Sequence, residues 1–130
     1  MNKKGFTLIE LLVVISLIGI LSLLGLRLYL GEQKKAKETL VNANASTLHT
    51  LIQAELAGKN LSLEEVITEI APKAGLFNPF NHTPLNKPGD FPQNDENLIP
   101  GRIKIILTQE TFYIQVYGED RLLSTFTAKR

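Results

Sequence analysis

An apolar segment near the start of the chain limits its fold more than any other feature. Between Lys4 and Arg27 lie 22 residues, and Glu10 is the only charged one among them. As an α-helix this segment would reach roughly 33 Å, enough for the roughly 30 Å hydrocarbon core of a bilayer. A cleaved secretory signal would have a shorter apolar region ending at a small-residue site, a pattern this run does not follow. We therefore expect the segment to stay on the chain and to span a membrane.

Glu10 is the anomaly in this segment. A carboxylate within the membrane costs about 2.5–3.5 kcal/mol at the helix centre, less near the interface, and usually has a partner. In one interpretation Glu10, only four residues beyond Phe6, simply reaches the lipid headgroups. The other interpretation requires a nearby cation, which must be Lys3, Lys4 or an amino terminus. Cleavage after Gly5 would place such an amine on Phe6.

Residues 3–21 resemble the N-terminal signal segment of a known protein family. Their sequence, KKGFTLIELLVVISLIGIL, resembles the class III signal of type IV pilins and of type II secretion pseudopilins. The shared features are a short basic leader, a glycine, a phenylalanine and an apolar helix with a glutamate four residues on. The resemblance implies that a prepilin peptidase cleaves between Gly5 and Phe6 and methylates the Phe6 amine. It also implies that Glu10 pairs with that amine on a neighbouring subunit during assembly. Both charged groups are energetically unfavourable in lipid, and they neutralise each other only when the two subunits pack with the correct axial offset.

One position departs from the family pattern. Many pilins of this type carry a proline where this chain has Arg27, and the helix before that proline is often locally unwound in filaments. The proline is absent here, but Gly19, Gly25 and Gly31 each weaken the helix by about 1 kcal/mol relative to alanine. Both a regular helix and a locally extended one between Gly19 and Arg27 stay open at this point.

The resemblance also implies an organisation and a function. We expect a leader at residues 1–5, a transmembrane and assembly helix at 6–31, and a globular pilin head at 32–130. The implied protein is a structural subunit, not an enzyme, that polymerises into a homo-oligomeric helical filament, either a type IV pilus (fimbrium) or a pseudopilus. Its implied partners are prepilin peptidase, the inner-membrane assembly machinery and, before assembly, the lipid bilayer. It would be a single-pass inner-membrane protein first and part of an extracellular or periplasmic filament afterwards.

Several alternatives stay open within and beyond this class. The filament could serve adhesion or twitching, protein secretion, or DNA uptake in competence, which leaves DNA undecided as a partner. A rival of another class is a membrane-anchored binding protein whose single N-terminal helix is only an anchor. A pure anchor needs neither Glu10 nor the Gly5–Phe6 pair, which favours the pilin interpretation.

The helix is predicted to continue beyond the membrane. It should run from Phe6 to Ala57, where Gly58 begins a stop pattern. From residue 32 onward, apolar residues and one threonine recur at spacings of three and four, as in an amphipathic helix; they are Ala36, Leu40, Ala43, Thr47, Leu48, Leu51 and Ile52. Further along, Ser62 and Glu65 in LSLEEVITEIAP predict a capping box that opens a second, short helix.

The C-terminal part of the chain predicts a small sheet. Residues 76–101 contain five prolines among asparagines and glycines and are expected to form a long ordered loop. Three β-prone runs follow, RIKIILT, TFYIQVY and LLSTFTA, which predict a three-stranded antiparallel meander. One face should pack on the helix between Ala36 and Leu56; it contains Ile103, Ile105, Leu107, Phe112, Ile114 and Val116. The predicted fold is thus α+β and type IV pilin-like: a long N-terminal helix, membrane-spanning and then amphipathic, packed on a small C-terminal three-stranded sheet.

Composition gives little support to catalysis or nucleic-acid binding. The chain has no cysteine, so thiol chemistry and thiolate metal sites are excluded. Its formal net charge of +1 gives no field that would attract a polyanion. His49 and His82 stand at no recognisable spacing from a nucleophile, so we predict that neither is catalytic and that no cofactor is needed.

Two weaker motifs remain. The polar loop at residues 90–96 supplies oxygen atoms that could bind calcium, although its spacing matches no defined calcium loop and a solvated loop is preferred; the candidate ligands are Asp90, Asn94, Asp95 and Glu96. Three Asn-X-Ser/Thr sequences, at Asn44, Asn60 and Asn81, are interpreted as chance matches unless the organism glycosylates them.

Overall fold

A computed structural model describes residues 4–94 and 99–129 of the chain. It shows the predicted α+β architecture, in which one long helix, α1 (Leu8–Leu56), precedes a small three-stranded antiparallel sheet. Helix α1 begins two residues later and ends one residue earlier than the predicted range from Phe6 to Ala57. The chain divides into two compact units, which meet in the sequence between Lys35 and Ala36.

The first unit contains the apolar part of α1, and its side chains are exposed. By length and composition this helix can cross a membrane, and its most apolar stretch has no buried residue. The hydroxyls of Ser16 and Ser22 donate to carbonyl oxygens four residues earlier, both at 2.7 Å. The helix thus satisfies these polar groups internally, as lipid requires. Gly19 and Gly25 lie in regular helix, not in an extended segment.

In the second unit, α1 buries a different face from the predicted one. Leu48 and Ile52 are buried as expected, but Leu40 is 55% exposed, and Ala36, Ala43, Thr47 and Leu51 are also exposed. The buried stripe of this helix consists of Val41, Ala45, Leu48, Ile52 and Leu56. The prediction was wrong because two apolar stripes with the same spacing run along the helix, and periodicity alone does not say which one the sheet covers.

Polar side chains beside the buried stripe bind main-chain groups of the sheet. Gln53 binds Lys129 through both amide atoms: its Nε2 donates to the Lys129 carbonyl oxygen at 2.8 Å, and its Oε1 accepts from the Lys129 N–H at 3.3 Å. His49 Nε2 lies 2.9 Å from the carbonyl oxygen of Thr127. These bonds join the helix to the sheet beside the buried stripe that contains Leu48 and Ile52.

The segment after α1 begins with the predicted capping box. Ser62 Oγ accepts from the N–H of Glu65 at 3.2 Å, and the Glu65 carboxylate accepts from the N–H of Ser62 at 2.8 Å. The segment is less regular than the predicted helix: α2 (Leu63–Glu65) is followed by a π-helical turn at Val66–Ile70 and a 3₁₀ turn at Ala71–Ala74. Gly75 ends it with a left-handed φ of 67°.

The region predicted as a loop contains a small hairpin. Strands β1 (Leu76–Asn78) and β2 (Thr83–Leu85) pair antiparallel, and a 3₁₀ turn follows at Pro88–Asp90. Leu76 and Leu85 of the hairpin and Phe91 after the turn are all buried, so this proline-rich region contributes apolar residues to the core. The loop prediction was therefore wrong for these six residues.

A buried asparagine fastens the hairpin to the chain before the sheet. Asn78 is fully buried; its Nδ2 donates to the carbonyl oxygen of Pro100 and its Oδ1 accepts from the N–H of Phe80, both at 2.9 Å. Gly101 adopts a left-handed φ of 83°, and a Cβ atom there would overlap Asn78 Oδ1. This close approach requires glycine at position 101.

The predicted three-stranded meander is confirmed. Strands β3 (Ile103–Thr108), β4 (Thr111–Tyr117) and β5 (Leu122–Lys129) pair antiparallel in the order β3-β4-β5. The turn between β3 and β4 uses left-handed φ angles at Gln109 and Glu110, the backbone geometry of a tight hairpin. The inward face is the expected one, with Leu107 only half-buried; its fully buried members are Ile103, Ile105, Phe112, Ile114 and Val116.

Candidate processing and assembly site

The residues before α1 form a short non-helical segment. Gly5 and Phe6 lie in it, and Phe6 is 90% exposed. Space around Gly5 is open, with no described atom within 4 Å of where a Cβ would stand. The peptide bond between these two residues is accessible and lies outside regular secondary structure, and a glycine next to it would let a protease cleft approach the backbone closely.

Thr7 and Glu10 cap the start of α1. The N–H of Thr7 donates to Glu10 Oε2 at 3.1 Å, and the N–H of Glu10 donates to Thr7 Oγ1 at 3.3 Å. This is a reciprocal capping box, with Thr7 at the cap position and Glu10 three residues on. The carboxylate also lies in the first turn, where the helix dipole favours negative charge.

Sequence reasoning missed this local role of Glu10. The pattern Thr7-Leu8-Ile9-Glu10 before an apolar run has the spacing of a capping box and would have predicted it. Within the described part of the chain Glu10 has hydrogen bonds but no cation at ion-pair distance.

Apolar side chains surround Glu10 on the helix surface. Phe6, Ile9, Val13 and Val14 line a shallow depression beside it, and Ile9 and Val13 are 69% and 49% exposed. A depression of this composition presents one acidic group within a surface that water solvates poorly. Such a surface is suited to lipid or to another apolar helix.

The comparison with known families decides what this N-terminal arrangement is. Residues 1–26 match the family model described as the prokaryotic N-terminal methylation motif. This segment is the class III signal of type IV pilins and pseudopilins. Gly5, Phe6 and Glu10 all lie within the matched range of this pilin-type signal.

The family match covers residues 1–26, and the fold of the residues after them is described by the structure alone. No curated protein and no solved structure matches the chain. The class III signal and the long apolar α1 together fit a membrane-anchored, single-pass protein. A pilin-type signal points to a structural protein that a prepilin peptidase processes, and the α+β architecture that follows it is pilin-like.

The other residues singled out in the sequence take up separate positions. His49 contacts β5 through Thr127 and lies 6.1 Å from the ring of Phe126, while His82 lies at the exposed tip of the β1–β2 hairpin. Within residues 4–94 and 99–129, neither histidine belongs to a cluster of three or more His, Cys, Asp or Glu residues suited to a metal.

The suggested calcium loop is only partly described. Asp90 Oδ2 accepts the main-chain N–H groups of Asn86 and Lys87, at 3.1 and 2.9 Å, so this oxygen already closes a tight turn. Asp95 and Glu96, the other two acidic candidates, lie outside the described residues. The structure thus assigns Asp90 a local role in the turn.

Proposed function

We propose that this chain is a structural subunit of a type IV pilus or a pseudopilus. The observation that carries the proposal is the methylation motif joined to an exposed apolar helix that holds one acid, Glu10, in its first turn. A filament subunit needs both parts, because processing creates an N-terminal amine and assembly buries it. The proposed division of the chain is a leader at residues 1–5, an assembly helix at 6–31 and a head at 32–130.

Processing is the first step of the proposed pathway. Prepilin peptidase cleaves the exposed bond between Gly5 and Phe6, and the new Phe6 amine is methylated. A methylated secondary amine keeps its positive charge at neutral pH, so the mature chain begins with a cation close in sequence to Glu10. Before assembly the helix holds the subunit in the inner membrane, where the apolar side chains of the first unit are solvated by lipid.

Assembly then exchanges lipid for neighbouring helices. The Phe6 amine of one subunit pairs with Glu10 of another, and the pair forms only at the stagger that brings the two together. Breaking such a buried pair by removing one partner costs about 3–5 kcal/mol, more than the approximately 0.5–2 kcal/mol that a helix cap contributes. The ion pair therefore dominates the proposed role of Glu10, and the capping box holds its carboxylate at the start of the helix.

The filament itself provides the test. An antibody raised against residues 32–130 should label sheared filaments by electron microscopy in cells that make the parent chain. Gly5→Leu, which places a bulky side chain at the cut, should leave the labelled protein in the membrane fraction and unprocessed. Gly25→Ala lies beyond the cut and in open space, so this matched variant should still be processed. Absence of the parent chain from filaments of cells with an active assembly system would refute the proposal.

A further inference from the structure

The three Asn-X-Ser/Thr sequences have different surroundings in the fold. A glycan is attached to the amide nitrogen of such an asparagine. The site is therefore available only where that nitrogen is accessible and not engaged in another hydrogen bond. Asn44 is half-buried on α1, and its Nδ2 donates to the carbonyl oxygen of Phe77 at 2.7 Å. This hydrogen bond holds the hairpin against the helix, so the amide nitrogen of Asn44 is already engaged.

The second sequence, Asn60-Leu61-Ser62, belongs to the start of the α2 segment. Asn60 is exposed, but Leu61 is only 8% exposed and packs in the core. The Ser62 hydroxyl, which an enzyme reading the sequence must contact, accepts the N–H of Glu65 in the capping box. Two of the three residues are therefore held by the fold.

The third sequence, Asn81-His82-Thr83, lies at the tip of the β1–β2 hairpin. All three residues are exposed. Asn81 Oδ1 accepts two hydrogen bonds from Thr83, one from the N–H at 3.2 Å and one from Oγ1 at 2.7 Å. His82 takes a left-handed φ of 57°, and its N–H donates to the carbonyl oxygen of Asn78 at 3.0 Å, which closes the turn.

This geometry prepares the Asn81 amide for substitution at nitrogen. Two donors on Oδ1 polarise the carbonyl group, which makes a proton on Nδ2 easier to remove. Nδ2 itself makes no hydrogen bond to any residue in 4–94 or 99–129. Of the three asparagines, Asn81 alone combines an exposed three-residue sequence with an amide oxygen held by its own threonine.

We propose that Asn81 is an N-glycosylation site of the folded protein, with a saccharide linked to a lipid diphosphate as the donor. Asn81 Nδ2 attacks C1 of the sugar, the Nδ2–C1 bond forms, and the bond from C1 to the diphosphate oxygen breaks. The diphosphate leaves with the electron pair, and Nδ2 loses one proton to a base of the transferring enzyme. The hairpin tip thereby becomes a glycan-bearing point on the head.

The test uses the purified full chain in detergent. It is incubated with an oligosaccharyltransferase that accepts Asn-X-Ser/Thr and with a polyprenyl-diphosphate-linked oligosaccharide, and the modified residue is located by mass spectrometry of peptides. Transfer to Asn81 is expected, with the modified fraction falling to background in Asn81→Gln and Thr83→Val. Asn44→Gln and Asn60→Gln are matched controls that should leave the fraction unchanged.

Two further controls make the outcome decisive. Unfolded peptides that carry the Asn44 and Asn60 sequences should be glycosylated, which shows that the enzyme is active and that the fold protects these sites in the full chain. The second control is Pro84→Ala, because Pro84 directly follows the third sequence and has no N–H to offer an enzyme. No transfer to the folded parent by the active enzyme, transfer to Pro84→Ala alone, or transfer to Asn44 or Asn60 in the folded chain would each overturn the proposal.

Discussion

Thr7 and Glu10 hold each other at the start of α1 through two reciprocal hydrogen bonds, at 3.1 and 3.3 Å. The same carboxylate is the proposed partner of a neighbouring subunit's amine. Glu10 therefore has two separable properties, a hydrogen-bonding shape that caps its own helix and a negative charge that another chain can use. Substitutions at these two positions can remove one property and keep the other.

We predict that charge at position 10, and not capping, controls filament assembly. Glu10→Gln keeps a side chain that completes a capping box but removes the charge, so processed protein should accumulate in the membrane with little or no filament. Glu10→Val removes both properties and should behave in the same way, although it makes insertion of the helix easier. Sheared-filament and membrane fractions, compared by immunoblot, measure the effect.

Thr7→Ala is the matched control for this prediction. It removes the cap hydroxyl at a cost of about 0.5–2 kcal/mol and leaves the carboxylate, so filament yield should stay within a few-fold of the parent. Normal filament yield from processed Glu10→Gln would refute the ion-pair role and return Glu10 to the simpler interpretation of an acid near the headgroups. A loss of filaments in Thr7→Ala as severe as in Glu10→Gln would point to capping as the essential property.

Processing should leave a defined mass signature. We expect the filament protein to lack residues 1–5 and to carry one added methyl group on the amine of Phe6. Intact-mass measurement and N-terminal peptide sequencing by mass spectrometry check both changes. An unprocessed N-terminus in membranes of cells that contain active prepilin peptidase would count against the pilin interpretation.

The head should fold without the assembly helix. A fragment of residues 32–130 keeps the buried stripe of α1, which covers the sheet and shares one hydrophobic core with it. It should be soluble and monomeric by size-exclusion chromatography, with a cooperative thermal transition by circular dichroism. Tight binding of a small ligand by this fragment would instead favour the anchored binding protein.

Two leucines in this fragment test which helix face is buried. Leu48 is fully buried, so Leu48→Ala should lower the free energy of unfolding by about 2–5 kcal/mol. Leu40 is 55% exposed, so Leu40→Ala should change the free energy of unfolding by no more than about 0.5 kcal/mol. Equal losses from the two variants, measured by urea denaturation, would contradict the observed face.

Gly101 should tolerate no side chain. Gly101→Ala places a Cβ on a residue with a left-handed φ of 83° and against Asn78 Oδ1, so we expect a loss of roughly 1–3 kcal/mol in unfolding free energy. Gly89→Ala serves as the control because Gly89 lies in a 3₁₀ turn with open space around it, and it should be neutral or slightly stabilising. Urea denaturation of both variants in the 32–130 fragment tests the prediction.

The capping box of α2 should make stability depend on pH. The hydrogen bond from the Ser62 main-chain N–H to the Glu65 carboxylate is the main cause that lowers the pKa of Glu65 below its ordinary value of 4.5, and the bond with the Ser62 side chain is the second. A lowered pKa in the folded state means that the stabilisation is present above 4.5 and is lost as the pH falls through the folded-state pKa. Glu65→Gln should therefore lose less stability than the parent on acidification, as thermal unfolding at neutral and acidic pH would show. Identical pH profiles would exclude this contribution.

Much of this fold follows from local patterns in the sequence. The alternation in β3 and β4 predicts which residues face the core, because successive side chains of a strand point to opposite faces. Ser62 and Glu65 predict the second capping box from spacing alone. The N-terminal segment is specific enough to predict a pilin-type signal from residues 3–21, and the family match over residues 1–26 confirms it.

Other features depend on contacts between distant residues. The buried face of α1 packs on a sheet that lies more than 45 residues further along the chain, and the bonds from Gln53 to Lys129, which span 76 residues, leave no local pattern. The β1–β2 hairpin escapes prediction because its strands have three residues each and its turn lacks an Asn-Gly pair. Its position depends on Asn44 and Asn78, whose partners lie 33 and 22 residues away.

The two bonds from Gln53 to Lys129 also have a consequence for how copies of this protein can meet. The outer strand of a sheet normally offers its main-chain N–H and carbonyl groups to any extended peptide that approaches. Here the amide of Gln53 fills both positions at Lys129, and His49 is bonded to the next outward carbonyl, at Thr127. These bonds leave fewer main-chain groups at this end of β5 for an incoming strand, which disfavours edge-to-edge pairing of copies here at high local concentration.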